Sequence, residues 1–204
     1  MKIAIIDYGM GNIHSVAKAI QLCGGEVLVT GDVERIKSAD KLLLPGVGAF
    51  DEAMEELKKM GLVEVIMEQA KSGKPLLGIC LGMQLLLESS QEAKVNRGLG
   101  LLAGEVVKFS SAGGLKVPHM GWNECRVVSG DCPLLRGMPD DSQVYYCHSY
   151  YPEPSDRETV AATCGYGKEF ACVLHKGNIY GAQFHPEKSQ EAGLRLVRNF
   201  VELC

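Results

Sequence analysis

A cysteine between two glycines is the first candidate for chemistry in this chain. Cys80 lies in the segment Gly78-Ile79-Cys80-Leu81-Gly82, which has the form G-x-C-x-G. An apolar run, PLLGI, leads into it, and a helical pattern, LGMQLLLESS, follows it. This order predicts a nucleophile elbow between a strand and a helix, with sulfur in place of oxygen. The helix N-terminus would favour the thiolate. The alternative is that Cys80 packs as a small apolar residue.

A histidine and a glutamate far along the chain supply what a cysteine nucleophile requires. The segment GAQFHPEKS places His185 and Glu187 on either side of Pro186. Residues i and i+2 of an extended chain point to the same side, and proline favours extended backbone before it. Glu187 can therefore orient the His185 ring and stabilise its imidazolium, which leaves the other ring nitrogen to face Cys80. A lone histidine at a strand end is usually a satisfied core or surface residue, but the elbow in the same chain favours the catalytic interpretation.

The elements that must position these residues alternate along the first ninety positions. The strand candidates are KIAIID, EVLVT, KLLLPG and PLLGI. Helical patterns cover about residues 12–23 and 51–72, the second with a break at Gly61, and LGMQLLLESS is again helical. Short, fully apolar strands separated by helices predict a mostly parallel sheet that is covered on both faces. We therefore expect a doubly wound α/β fold.

After about residue 95 the pattern changes to strands that are linked by turns. The candidates are GEVVKF, NECRVV, SQVYYCHSYY, TVAATCGYG, FACVLHKG and NIYGAQFH. Short links with glycine, such as HKGN, predict antiparallel hairpins. A last helix is expected over about residues 190–203. The chain shows no linker and no internal repeat, so residues 1–204 are expected to form a single domain.

Charge and hydropathy exclude several classes of partner. The 204 residues carry a net charge of −4, which offers no basic footprint for nucleic acid. No apolar run approaches the ~20 residues that are needed to cross a bilayer, and MKIAIIDYGM reads as a buried first strand rather than a signal peptide. We therefore expect neither a nucleic-acid partner nor a membrane partner.

The eight cysteines form no CxxC pair and no zinc-like cluster with the five histidines, so we expect no metal site. Several of them sit in apolar segments, where cysteine behaves as a small hydrophobic residue. We interpret them as reduced thiols of a cytoplasmic protein, although the even count leaves disulfides as a weaker alternative.

Two glycine-rich loops follow predicted strands. DYGMGN (7–12) and PGVGAF (45–50) each contain GxG but lack the third glycine of the dinucleotide-binding fingerprint,. Tight turns between strand and helix are the favoured interpretation, and no cofactor is expected. The second loop has a further possible role, because glycines allow a backbone N–H to approach and turn toward a reacting group.

Taken together, these motifs resemble the triad (class I) glutamine amidotransferases, which hydrolyse glutamine and pass ammonia to a synthase. G-x-C-x-G-M-Q with a downstream F-H-P-E carries that resemblance. DYGMGN, PGVGAFDEAM, PHMGWN, YYCHSYY and QFHPEKS are similar to the glutaminase subunits of imidazole glycerol phosphate synthases, which act in histidine biosynthesis. The match runs from residue 3 to the final helix and is thinnest over about 126–142 and 152–175. The resemblance implies a flavodoxin-like fold.

The resemblance also implies roles for individual residues. Cys80 would attack the side-chain amide of glutamine and form a glutamyl thioester, with His185 and Glu187 completing the triad. Oxyanion N–H groups are expected from Val47, Gly48 and Leu81. The residues expected to bind glutamine are Gln84, Gly46, Gly82, His148, Ser149 and Tyr150. Gln84 lies one helical turn beyond Cys80 on the same face, although an ordinary polar residue of the first turn is the alternative.

The implied partner is a TIM-barrel cyclase subunit that receives the ammonia, together with which this chain would form a heterodimer. The residues implied at the interface are Asn12, Met120, Trp122, Asn123 and Lys188. Trp122 is the only tryptophan in the chain. Tryptophan and methionine are enriched in interface cores, while burial in this chain's own core is the alternative for Trp122.

Three alternatives remain open from the sequence. The chain could be a triad amidotransferase that serves another pathway, such as pyridoxal phosphate synthesis, although PHMGWN with DYGMGN favours the histidine pathway. It could be a free-standing cysteine hydrolase that needs no partner. It could also be a non-catalytic α/β binding module in which Cys80 only packs.

Overall fold

The computed structural model describes the backbone of residues 1–204 and every side chain except that of residue 112. Its first part contains β1 (Lys2–Ile6), α1 (Ile13–Leu22), β2 (Glu26–Thr30), α2 (Val33–Ser38), β3 (Lys41–Gly46), α3 (Phe50–Lys59), α4 (Leu62–Lys71), β4 (Leu76–Cys80), α5 (Leu81–Leu85) and β5 (Ser89–Ser90). Its second part contains β6 (Gly104–Lys108), β7 (His119–Val127), β8 (Ser142–His148), β9 (Tyr150–Pro154), β10 (Val160–Tyr166), β11 (Lys168–Lys176), β12 (Ile179–Ala182) and α6 (Gln190–Glu202).

Nine strands form one mixed sheet in the order β2-β1-β3-β4-β12-β11-β10-β7-β8. The five strands from β2 to β12 are parallel to one another, and the remaining neighbours pair antiparallel. The predicted α/β fold is therefore confirmed, with the parallel part confined to half of the sheet. A second, three-stranded sheet has the order β5-β6-β9.

Helices cover the parallel strands on both faces, as buried apolar strands require. Apolar side chains of α1 and α6 join one core cluster, which includes Ile20 and Phe200. Those of α2, α3, α4 and α5 join the other, which includes Phe50 and Ile66. No helix in the described part of the chain is both long enough and apolar enough to span a membrane.

Three local features differ from the sequence expectations. The helix after Cys80 ends at Leu85, so the LLESS part of the predicted helix is wrong, and β5 forms at its end instead. The predicted strand SQVYYCHSYY is broken at Ser149, where the chain leaves the large sheet for the small one. Helix α2 was not anticipated; Asp32 caps it by accepting a hydrogen bond from the Arg35 N–H.

A buried lysine ties the C-terminal helix to the sheet. Lys41 at the start of β3 is almost wholly buried, and its ammonium donates to the carbonyl oxygens of Phe200 and Val201 at 2.7 and 2.9 Å. These carbonyls lie in the last turn of α6, where backbone acceptors have no partner within the helix. The positive charge also complements the negative end of the helix dipole, which accounts for a charged residue at this depth.

Candidate active site

Cys80 occupies a strained turn between β4 and α5. Its φ and ψ are 53° and −112°, a region that a residue with a side chain rarely adopts. A Cβ at Gly78 would lie 2.6 Å from the Gly82 carbonyl oxygen, and one at Gly82 would overlap the Leu44 carbonyl oxygen. Both positions therefore require glycine. The geometry is that of the elbow that the sequence predicts, and the Cys80 side chain reaches a cavity with 6% of the residue exposed.

His185 reaches the same cavity from the chain beyond β12. Strands β4 and β12 are parallel neighbours, so their carboxyl ends meet at one edge of the sheet. The backbone N–H of His185 donates to the Tyr145 carbonyl oxygen at 2.9 Å, and its ring lies near enough to Cys80 to interact with the sulfur. The sequence separates these two residues widely, and the parallel pairing brings them together.

The contact of Glu187 with the His185 ring is present, but it forms through a different backbone from the one expected. The His185 Nδ1 lies 2.9 Å from Glu187 Oε1. Residues Pro186–Lys188 form a 3₁₀ turn rather than an extended segment, so the expected alternation of side chains is wrong while the contact is present. The other carboxylate oxygen of Glu187 is buried and has no hydrogen-bond partner in the described part of the chain, so the carboxylate directs its hydrogen bonding at the ring.

The ring of His185 is held in its protonated form. Burial lowers the pKa of His185, but its interactions with Cys80 and Glu187 outweigh this and raise the pKa to about 10. An imidazolium between a sulfur and a carboxylate can stabilise a thiolate and can later give its proton to a departing amine. This arrangement is able to carry out acyl transfer from an amide.

The cavity has a volume of about 360 Å³, which suits a small molecule,. The described residues that line it are Val47, Gly48, Cys80, Leu81, Gln84, Glu92, Pro118, Cys147, His148, Ser149, Tyr150, His185 and Lys188. Most residues expected around the reacting group are therefore brought together.

Gly46 and Gly82, which the sequence assigned to substrate binding, are not among the described residues that line the cavity. They pack against each other, because a Cβ at Gly46 would lie 2.8 Å from the Gly82 backbone nitrogen. Their placement allows β3 to approach the elbow closely. A direct contact with substrate stays a prediction for both.

The loop that follows β3 lies over the elbow. Gly46 pairs with Cys80 in the parallel register, Val47 is half-exposed, and Gly48 has a φ of 97°, which favours glycine. Behind the loop, the buried hydroxyl of Tyr8 donates to the Pro45 carbonyl oxygen at 2.9 Å. This bond holds the end of β3 just before the loop.

Sequence reasoning missed Gln183, which is fully buried beside the nucleophile. Its Oε1 accepts from Gln84 Nε2 at 3.1 Å, and its Nε2 lies 3.9 Å from the Cys80 sulfur. Gln84 Nε2 also donates to the Tyr150 carbonyl oxygen at 2.9 Å. The sequence does contain a signal for Gln183. It is a polar residue in the apolar segment IYGAQF, two positions before His185, and alternate residues of an extended chain point to the same side.

The predicted interface residues reach the surface to different extents, and one is an exception because its side chain is held by internal hydrogen bonds. Met120 and Trp122 on β7 are 61% and 48% exposed, so the alternative that Trp122 is a core residue is wrong. Lys188 is exposed and lines the cavity. Asn12 precedes α1 and is partly buried. The exception is Asn123, whose amide is engaged internally.

All eight cysteines are free thiols. Those away from the cavity are mostly buried in apolar surroundings, and burial raises the pKa of Cys132 to about 11 and that of Cys164 to about 12. Such thiols are poor nucleophiles at neutral pH because little thiolate forms. The disulfide alternative is not supported by this arrangement.

Comparisons with known proteins agree with the geometry. The family model described as glutamine amidotransferase class-I matches residues 4–204. The imidazole glycerol phosphate synthase subunit HisH of Bacillus cereus (strain G9842) is 53% identical over 198 residues, which cover 97% of this chain and 93% of that protein. The protein of the same name from Methanosarcina mazei is 50% identical over 205 residues, which cover 100% of this chain and 99% of its own length.

Solved structures show the fold alone, because their sequences are distant. A crystal structure described as a glutamine amidotransferase has a TM-score of 0.77 at 18% identity and covers 98% of this chain and 97% of its own. The structure of PurLQS from Thermotoga maritima also has a TM-score of 0.77, at 19% identity, with 98% and 96% covered. The family model and the full-length relatives show that the chain belongs to the class-I glutamine amidotransferase family, in the branch of the imidazole glycerol phosphate synthase subunits HisH.

Proposed function

We propose that this chain hydrolyses L-glutamine to glutamate and ammonia and delivers the ammonia to a cyclase subunit in histidine biosynthesis. The observation that carries the proposal is the meeting of Cys80, His185 and Glu187 at one edge of the sheet, above a cavity of suitable size. The full-length similarity to HisH subunits supports this particular pathway.

In the first half of the reaction, the Cys80 thiolate attacks the side-chain amide carbon of glutamine. The amide oxygen becomes an oxyanion, and its collapse breaks the carbon–nitrogen bond. His185 gives its proton to the departing nitrogen, which leaves as ammonia. A glutamyl thioester on Cys80 and a neutral His185 remain.

In the second half, His185 takes a proton from water, and the hydroxide adds to the thioester carbon. Collapse breaks the carbon–sulfur bond, releases glutamate and restores the thiolate beside the imidazolium. Glu187 holds the ring in one orientation and stabilises its charged form in both steps.

Backbone N–H groups are expected to stabilise the oxyanion. Leu81 is the first residue of α5, where an N–H has no partner within the helix. Val47 and Gly48 also line the cavity. A turned peptide in this glycine-containing loop would complete the oxyanion hole.

Gln84 is expected to receive the amino group of the substrate. Its two amide hydrogens already serve the Tyr150 carbonyl and Gln183. The carbonyl of the Gln84 amide is then the part that can accept from a substrate ammonium. His148, Ser149 and Tyr150 would shape the rest of the pocket.

The proposed partner is a TIM-barrel cyclase subunit that forms imidazole glycerol phosphate and an aminoimidazole carboxamide ribotide, in a heterodimer with this chain. Met120 and Trp122 expose apolar surface, and Met120 pairs with Cys147, which lines the cavity. Trp122 pairs with Tyr145 across β7 and β8, and the Lys188 ammonium lies 5.7 Å from the Tyr145 ring. Aromatic residues and methionine are enriched in the cores of interfaces, and the surrounding rim is polar. We also propose a single domain over 1–204 and a cytoplasmic location, in keeping with the free thiols.

Replacing Trp122 by alanine is expected to weaken the complex by about 2 kcal/mol or more, the range of interface hot spots. The thermal midpoint of the isolated chain should change little, because the ring is half-exposed. Titration calorimetry with the cyclase and thermal unfolding of the chain alone measure the two effects. A large drop in the thermal midpoint of the isolated chain, with unchanged affinity for the cyclase, would contradict the interface assignment.

Glutamine turnover with and without the cyclase and its nucleotide ligand tests the function itself. We expect glutamine-dependent formation of the imidazole product only in the complex. Turnover of equal rate without any partner would favour a free-standing hydrolase. Docking to a pyridoxal phosphate synthase instead of the cyclase would assign the chain to pyridoxal phosphate synthesis. If thiol labelling finds Cys80 no more reactive than the other seven cysteines, a non-catalytic binding module is favoured.

A further inference from the structure

Two buried histidines form a chain of hydrogen bonds between Asn123 on β7 and the cavity. His119 on β7 faces His148 on β8 in the antiparallel register, and its Nδ1 lies 3.0 Å from His148 Nε2. On one side, the Asn123 amide nitrogen lies 3.1 Å from His119 Nε2. On the other, His148 Nδ1 lies 2.7 Å from the Tyr150 carbonyl oxygen.

The partners at the two ends fix the proton positions. The Tyr150 carbonyl only accepts, so His148 carries its proton on Nδ1 and presents a bare Nε2. His119 must then carry its proton on Nδ1 and donate to that nitrogen. Its bare Nε2 accepts from the Asn123 amide, whose other hydrogen goes to the Gly165 carbonyl oxygen at 3.0 Å. Every ring nitrogen in the chain of bonds is satisfied with both histidines neutral.

The surroundings keep both rings neutral and in place. His119 is stacked between the rings of Tyr146 and Tyr166, with centroids 4.6 and 3.9 Å away. Burial lowers the pKa of His119 to about 4, and it lowers the pKa of His148 to about 3. Both histidines are therefore uncharged at neutral pH.

The same line of bonds continues to the nucleophile. The Tyr150 carbonyl that His148 donates to is also the acceptor of Gln84 Nε2. Gln84 in turn donates to Gln183, whose amide nitrogen lies beside the Cys80 sulfur. Displacement of the Tyr150 carbonyl would therefore shift the Gln84 amide within the cavity.

We propose that His119 is a positioning residue: by donating to His148 it holds the Tyr150 carbonyl and Gln84 in the geometry that binds glutamine. The inference rests on the proposed glutaminase function. His119 itself is absent from the described lining of the cavity, so it acts through His148. We call the hydrogen bonds from Asn123 through His119 and His148 to the Tyr150 carbonyl the relay. Because Asn123 and Trp122 both lie on β7, the relay also connects the pocket to the strand that is proposed to meet the cyclase.

Two amide substitutions separate this role from simple packing. His119→Asn places an amide nitrogen near the position of Nδ1, where it can still donate to His148. His119→Gln places the amide near the position of Nε2, where it meets Asn123 but leaves His148 without a donor. Both variants remove the ring between the two tyrosines, so a packing role would affect them alike.

We expect His119→Gln to raise the KM for glutamine about tenfold in the complex, with little change in kcat, because one buried hydrogen bond that supports the pocket is lost. His119→Asn should retain most of the wild-type KM. Alkylation of Cys80 by iodoacetamide should proceed at the wild-type rate in both, because the triad is untouched. Equal KM values for the two variants would overturn the proposal.

Imidazole ¹⁵N resonances test the relay without relying on turnover or on either variant folding. In the wild-type chain at pH 7, both histidines should be single neutral tautomers with protonated Nδ1 and bare Nε2. A protonated Nε2 on His148 would overturn the proposal. If the wild-type complex fails to hydrolyse glutamine, the proposed function falls, while these resonances still decide whether the relay exists.

Discussion

Replacing Cys80 by alanine is expected to lower glutamine hydrolysis in the complex by about 10⁵-fold or more, as the loss of a covalent nucleophile does in other hydrolases. We expect no rescue by another thiol, because the elbow directs the Cys80 side chain at the His185 ring. The measurement is release of glutamate from glutamine by the chain bound to its cyclase and nucleotide ligand. Formation of the imidazole product from added ammonium salts should persist, since that step belongs to the partner.

Cys147 provides the matched control for this experiment. It also lines the cavity and is partly exposed, yet Cys80 and not Cys147 is among the groups that raise the pKa of His185. Cys147→Ala should lose far less activity than Cys80→Ala. Cys80→Ala should keep a cooperative unfolding transition and should still bind the cyclase. Glutamine turnover by Cys80→Ala near the wild-type rate would refute the thioester mechanism.

Replacing Glu187 by glutamine is expected to lower kcat by about 10²- to 10⁴-fold, less than the loss of the nucleophile, because its role is to orient and charge the histidine. The amide carbonyl of this variant could still accept from Nδ1, but the amide carries no negative charge. The pKa of His185, which the carboxylate helps to raise to about 10, should then fall. The alkaline limb of kcat/KM should consequently move to lower pH.

The pH profile distinguishes this electrostatic role from a loss of structure. Glu187→Asp retains the charge on a shorter side chain, so it should shift the alkaline limb less than Glu187→Gln does. If kcat falls in Glu187→Gln while the alkaline limb of kcat/KM stays at its wild-type pH, Glu187 has a purely steric role. A loss as large as that of Cys80→Ala would mean that the carboxylate takes part in bond making.

The sequence predicted those parts of the site that rest on short segments. The elbow is local, because Gly78, Cys80 and Gly82 define its backbone in five residues. His185 and Glu187 lie two residues apart, so their contact followed from proximity even though the extended backbone expected there was wrong. The parallel strands were likewise visible as short apolar runs between helices.

The remaining features depend on pairings between distant segments. Strand β7 is the sheet neighbour of β8 and β10, an order that no local pattern specifies, so the contact of His119 with His148 was not foreseen. The break at Ser149 arises because Tyr150 begins a strand of the other sheet. The early end of α5 has a similar cause, since the Leu99 and Leu101 N–H groups take the carbonyls of Leu85 and Leu86.

The place of β12 in the sheet has a consequence for the order in which the molecule can assemble. It is the last strand in the chain, yet it lies between β4 and β11 near the middle of the sheet. Pairings of such long sequence separation form late and slow folding, because the loop entropy is lost before the contacts stabilise the chain. A chain still emerging from the ribosome therefore has its thiol elbow but no base beside it. Amide cleavage begins only when the central gap of the sheet is filled, so partly made chains do not consume glutamine.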